Sequence, residues 1–151
     1  MPYEQVAKIL DRAKKFHQDL FQLYQRLEET APQEDEIVRI ILGYMKDHEK
    51  KLEMQLAAFE NTATQNIKDT WFQFPPAEKL EVALDELRFC ESMSVNDLVA
   101  LSLRFDNALI NFYQEAAESA HADQVRDIFE NLYHEGQCER KKLVSSIFGF
   151  E

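Results

Sequence analysis

The chain has 151 residues, enough for one domain with a real core, and its 28 acids against 17 bases give a formal net charge of −11. That balance argues against a nucleic-acid partner, because the densest basic run, Arg140-Lys141-Lys142, is short and follows an acid. With 45% hydrophobic residues, 3 Gly and 4 Pro, the composition favours long helices over a many-stranded sheet, and no apolar run is long enough to cross a bilayer.

The first helix is expected from about Tyr3 to Thr30, where Val6, Ile9, Leu10, Ala13, Phe16, Leu20, Tyr24 and Leu27 recur mostly at three- and four-residue steps. His17 lies inside that apolar stripe. Ala31-Pro32-Gln33 ends the helix, since proline disfavours helical geometry in the residue before it. The second helix, from about Glu34 to Glu60, carries Ile37, Ile40, Ile41, Tyr44, Met45, His48, Leu52, Leu56 and Phe59, with Glu49 at the stripe's edge. A long connection follows, 61–93, with an aromatic segment Trp71-Phe72-Gln73-Phe74-Pro75-Pro76 and a short helical pattern of Leu80, Ala83, Leu84 and Leu87. Ser94-Val95-Asn96-Asp97 reads as a capping box opening the third helix, whose stripe is Leu98, Leu101, Phe105, Leu109, Phe112, Ala116 and Ala120, with Asp106 beside it. The fourth, from about Ala122 to Ser146, uses Val125, Ile128, Phe129, Leu132 and Leu143, with Glu135 on the same face. The apolar tail Ile147-Phe148-Gly149-Phe150 either tucks against the helices or docks on another subunit. The first two helices form one hairpin (about 3–60) and the last two another (about 94–147). The expected fold is all-α, a single domain over 1–151.

The two hairpins look like copies. Phe16, Leu20, Tyr24, Gln25, Glu29 and Ala31 align at one constant offset with Phe105, Leu109, Tyr113, Gln114, Glu118 and Ala120, and each copy is followed by a His-Glu pair, His48-Glu49 and His134-Glu135. A helical hairpin used twice is the signature of a duplicated four-helix bundle. One titratable residue per helix, namely His17, Glu49, Asp106 and Glu135, then points at one interior. Buried acids carry a desolvation cost of several kcal/mol unless compensated, and a bound divalent cation compensates four such groups well. Imidazoles and carboxylates are ligand types that iron and manganese accept. Without a cation, His17 could bond Glu49, and His134 could bond Asp106. The remaining thiols, Cys90 and Cys138, have no paired spacing, and Met1-Pro2-Tyr3-Glu4 lacks the features of a secretory leader, so a cytoplasmic chain with reduced cysteines is expected.

This pattern resembles the rubrerythrin branch of the ferritin-like family over nearly the whole chain. In that family the first and third helices each supply a Glu seven residues before a Tyr, and the second and fourth each supply Glu-x-x-His, together holding a di-iron centre. Here His17 stands seven before Tyr24 and Asp106 seven before Tyr113, while Glu49-Lys50-Lys51-Leu52 and Glu135-Gly136-Gln137-Cys138 replace both histidines of the motif. The resemblance implies a ferritin-like left-handed bundle with a long crossover and a degenerate iron or manganese site of His17, Glu49, Asp106 and Glu135. His48, His134 and Cys138 are additional ligand candidates. A residue one before the Glu lies about 40° around the helix from the position three after it, so His48 and His134 could replace the lost histidines. Tyr24 and Tyr113 would stand behind the ligands as donors or radical sites. The leading expectation is a non-catalytic or weakly metal-binding homodimer. The alternatives are a divergent oxidase or peroxidase and a stress or regulatory adaptor that binds a protein partner through its acidic surface and the Trp71–Pro76 segment.

Overall fold

The computed structural model describes residues 4–30, 36–63, 65–72, 76, 80 and 94–148. In chain order they form β1 (Glu4–Gln5), α1 (Val6–Thr30), α2 (Glu36–Thr62), a single turn α3 (Gln65–Lys68), β2 (Trp71–Phe72), α4 (Val95–Ser119) and α5 (Asp123–Phe148). The fold is all-α apart from the two-residue pairing of β1 with β2. The segment Phe74-Pro75, the pattern Ala83–Leu87, Cys90 and the terminal Gly149-Phe150 lie outside the described residues.

Helix α1 buries the stripe its spacing dictates: Val6, Ile9, Leu10, Ala13, Phe16, Leu20 and Tyr24 are all at most 2% exposed, and Leu27 packs at its edge. On α2 two apolar sets interleave one residue apart, which is about 100° of rotation, so they cannot both face inward. Val38, Ile41, Leu42, Met45, Leu52 and Leu56 are buried, whereas Ile37 and Ile40, expected in the stripe, are 51% and 40% exposed. Buried residues of all four long helices belong to one continuous core.

Cross-helix pairs fix the directions. Glu28 meets Lys46, His17 meets Glu49 and Lys14 meets Glu60, so α1 and α2 are antiparallel. The ring of Phe16 meets that of Phe105 edge-on at 5.9 Å, while Arg12, earlier on α1, lies 5.1 Å over Phe112, later on α4. Helices α1 and α4 are therefore also antiparallel, which makes α2 and α4 parallel. The chain leaving Thr62 must then return the length of the helices, about 40 Å for α2 at 1.5 Å per residue, before Val95.

That connection is tied down at its start. β2 pairs antiparallel with β1 (Glu4 opposite Phe72, Gln5 opposite Trp71), and the Val6 N–H donates to the Thr70 carbonyl at 2.9 Å. Phe72, 2% exposed, meets the ring of Phe129 on α5 at 5.7 Å, while Trp71 on the other face of the strand is 59% exposed. A two-residue strand has no periodicity to read, so the sequence gives no sign of it.

The expected capping box forms. Ser94 Oγ accepts from the Asp97 N–H at 3.2 Å, and the Ser94 N–H donates to Asp97 Oδ2 at 3.1 Å, satisfying two amides that the first turn of α4 leaves free. Ser94→Ala is expected to destabilise the fold by about 1 kcal/mol, measured as a lower urea midpoint at unchanged slope.

Candidate metal centre

Four titratable side chains meet in the middle of the core. His17 enters from α1, His48 and Glu49 from α2, and Asp106 from α4; each is at most 5% exposed. Adjacent residues such as His48 and Glu49 project about 100° apart, and both can be buried because α2 packs against α1, α4 and α5 at once. Its buried arc is wide enough to send one side chain toward α1 and the next toward α4.

The bonds follow that division. His17 Nδ1 and Glu49 Oε2 share a hydrogen at 2.7 Å, joining α1 to α2. His48 Nε2 faces both oxygens of Asp106, at 3.1 Å and 3.0 Å, joining α2 to α4. The two pairs are not separate: His48, Glu49 and Asp106 each offer a ligand atom within 4.8 Å of the other two.

Burial governs the protons. It lowers His17 from 6.5 to about 4, with the positive charge of His48 adding to the effect while Asp106 and Glu53 oppose it. Burial also raises Glu49 well above its ordinary value, reinforced by the negative charge of Asp106 and opposed by His48. One proton therefore stays in the short His17–Glu49 bond, and the pair carries no net charge. For His48, burial alone would lower the pKa, but the hydrogen bond and charge of Asp106, with Glu49 and Glu139, outweigh it and raise the value. His48 therefore keeps its proton to a higher pH than a free imidazole does, in the place where a divalent cation would supply positive charge.

One imidazole and two carboxylates are a hard-to-borderline donor set that suits iron(II), manganese(II) or zinc(II). His17, bonded to the Glu49 carboxylate from behind, would orient that ligand as partners of metal ligands commonly do.

Of the remaining sequence candidates, Glu135 does not join this group. It is half-buried on α5 with Oε2 unpartnered among the described residues, and it acts instead on Tyr113, whose pKa burial and the charges of Glu49, Glu60 and Glu135 push up. His134 is exposed with its ring against Tyr133, so the partner of Asp106 is His48 and not His134. Cys138 is exposed. Leu52, three residues after Glu49, is buried in the core.

Two contributors went unread in the sequence. Glu139 on α5 is 6% exposed, accepts from Gln55 and Lys142 through Oε1 at 3.4 Å and 3.2 Å, and adds to the charge felt by His48. Its signal was present: Val125, Phe129, Leu132, Gly136, Glu139, Leu143 and Ile147 are the buried residues of α5 at three- and four-residue steps. Gly136, which brings no side chain to the stripe, hides the pattern. Ser102, one turn before Asp106 on α4, is 2% exposed.

No known protein family, no curated protein and no solved structure matches the chain.

Proposed function

We propose that the chain is a ferritin-like, rubrerythrin-related four-helix bundle whose metal centre is reduced to one divalent cation, iron or manganese, held by His48, Glu49 and Asp106. It binds this ion without catalysing oxygen or peroxide turnover. The observation that carries the reading is the convergence of three buried N/O ligand atoms within 4.8 Å of one another, a cluster whose desolvation a cation would offset. The topology agrees with the resemblance: α2 and α4 run parallel, so a long crossover must link them, as in ferritin-like bundles. A two-ion centre lacks support, since Leu52 cannot coordinate and neither Glu135 nor Cys138 belongs to the triad. The His17–Glu49 and His48–Asp106 bonds also favour a second reading, in which the cluster only staples three helices together. For the adaptor reading the favouring feature is the exposure of Trp71.

Elemental analysis of the purified, untagged protein after anaerobic ferrous or manganous addition and desalting separates these. One metal per chain is expected, and none in Glu49→Ala/Asp106→Ala. Two metals with a new near-ultraviolet band on exposure to air would return the oxidase reading. No metal at saturation would leave the staple.

A further inference from the structure

Of the large hydrophobic side chains exposed among the described residues, all but Trp71 stand on α2, where Ile37, Ile40 and Met54 are 51%, 40% and 69% exposed. Single exposed apolar residues are ordinary, but these share one line. Ile37, Ile40, Tyr44, Asp47, Lys51 and Met54 follow one another at alternating three- and four-residue steps. At 3.6 residues per turn they stay within an arc of about 100° over roughly 25 Å of helix. That is the spacing of a two-stranded coiled-coil seam. It lies away from the side that Ile41, Met45, Leu52 and Leu56 bury, with Tyr44 packed partly against the core. The negative excess of the chain does not extend to this face: between Ile37 and Met54 the bases Arg39, Lys46, Lys50 and Lys51 outnumber the acids outside the core, Asp47 and Glu53. Asp47 and Lys51 are exposed and take no ion pair among the described residues. Gly43, one turn before Asp47, costs the helix about 0.5–1 kcal/mol relative to alanine. Nothing lies within 4 Å of where its Cβ would stand, so packing within the chain does not call for it, whereas the close approach of a second helix would.

We propose that this face of α2 is where two copies of the chain pair, with their α2 helices antiparallel about a two-fold axis. Charge fixes the direction. In a parallel pair each Asp47 would face the partner's Asp47, and each Lys51 the partner's Lys51. In an antiparallel pair with Asp47 opposite the partner's Lys51, the two-fold axis makes the same attractive contact twice. That register also sets Tyr44 opposite the partner's Met54 and Ile40 opposite the partner's Ala58, so apolar contacts flank the charged centre on both sides. Polar residues within a seam fix its register at a cost in stability, so the dimer is weak and concentration-dependent. The proposal does not depend on the metal reading.

Sedimentation velocity over a micromolar concentration series tests it, and the natural protein is expected to show a monomer–dimer equilibrium. Asp47→Lys and Lys51→Asp each place like charges across the axis and are each expected to weaken dimerisation at least about tenfold. Mixed one to one, these two variants are expected to recover the dimer, because each supplies the charge the other needs. Met54→Glu is expected to abolish the dimer with unchanged helix content by circular dichroism, since its side chain stands in solvent in the single chain. A natural protein that stays monomeric throughout the series overturns the proposal, as does a dimer that survives Met54→Glu. Charge variants that dimerise as the natural protein does, or that fail to recover the dimer when mixed, overturn the antiparallel pairing.

Discussion

Asp106→Val is expected to lower the stability of the metal-free protein by about 3–5 kcal/mol, whereas His48→Leu/Asp106→Val is expected to restore most of that loss or exceed the natural stability. The asymmetry comes from burial. His48 and Asp106 are 5% and 4% exposed and bonded to each other, so removing one strands the other in the core without water. Removing both eliminates the polar groups, and Leu and Val continue the apolar surroundings of Met45, Leu52, Phe105 and Leu109. For a chain of this length the single substitution should lower the melting temperature by roughly 10 °C. Urea unfolding of the natural protein, both singles and the double at pH 6 closes the cycle and gives the coupling directly. If the double is as unstable as the sum of the singles, the pair is not interacting as the 3.0 Å bond requires. All three variants should fail to take up metal, so recovered stability in the double would separate what the pair does for ion binding from what it does for the fold.

The parts of this cluster that were legible in the sequence are those where a polar residue interrupts a narrow apolar stripe. His17 on α1 and Asp106 on α4 stand out because Phe16 and Leu20, or Phe105 and Leu109, flank them at core spacing. His48 and Glu49 were both visible, but a one-sided helix buries only one of two adjacent residues fully. That rule fails on α2 because three helices surround it, a tertiary fact that periodicity does not carry. The likeness of the two hairpins misled in the opposite way. It made Glu135 the counterpart of Glu49, but the buried line of α5 runs through Gly136 and Glu139, which leaves Glu135 at its margin and His134 in solvent. Matching residue types in two helices do not fix the rotation of each helix about its axis. The exposed Ile37 and Ile40 on α2 are a similar case, since sequence alone cannot choose between two apolar sets one residue apart.

The metal-free protein is expected to be most stable in mildly acidic solution and to weaken as the pH rises above 6.5. Three groups decide this, together with Asp106, Glu53 and Glu139, which face them. His17, lowered to about 4, contributes stability that is lost as pH falls from 6.5 through about 4, because the unfolded chain then holds the extra proton. Glu49, raised above 4.5, contributes stability that is present below 4.5 and lost as pH rises, because the folded chain keeps a proton the unfolded chain has released. Below 6.5 these two slopes oppose each other. Above 6.5 the slope from His17 is gone, and His48, raised above 6.5, adds a slope of the same sign as that of Glu49. Each proton the folded chain retains and the unfolded chain has released makes stability fall with rising pH, so the chelator-treated protein should lose stability as the pH rises from 6.5. A divalent cation competes for the same protons, so its affinity should climb over that interval. At a free concentration of 100 times Kd it would add about 2.7 kcal/mol. The melting curves of the chelated and loaded protein should thus diverge with rising pH, and the divergence should shrink in His48→Leu. A chelated protein whose melting temperature is flat or rising from pH 6.5 to 8 would mean that the two protons do not reside in the cluster, and the charge argument for a cation there would fall with them.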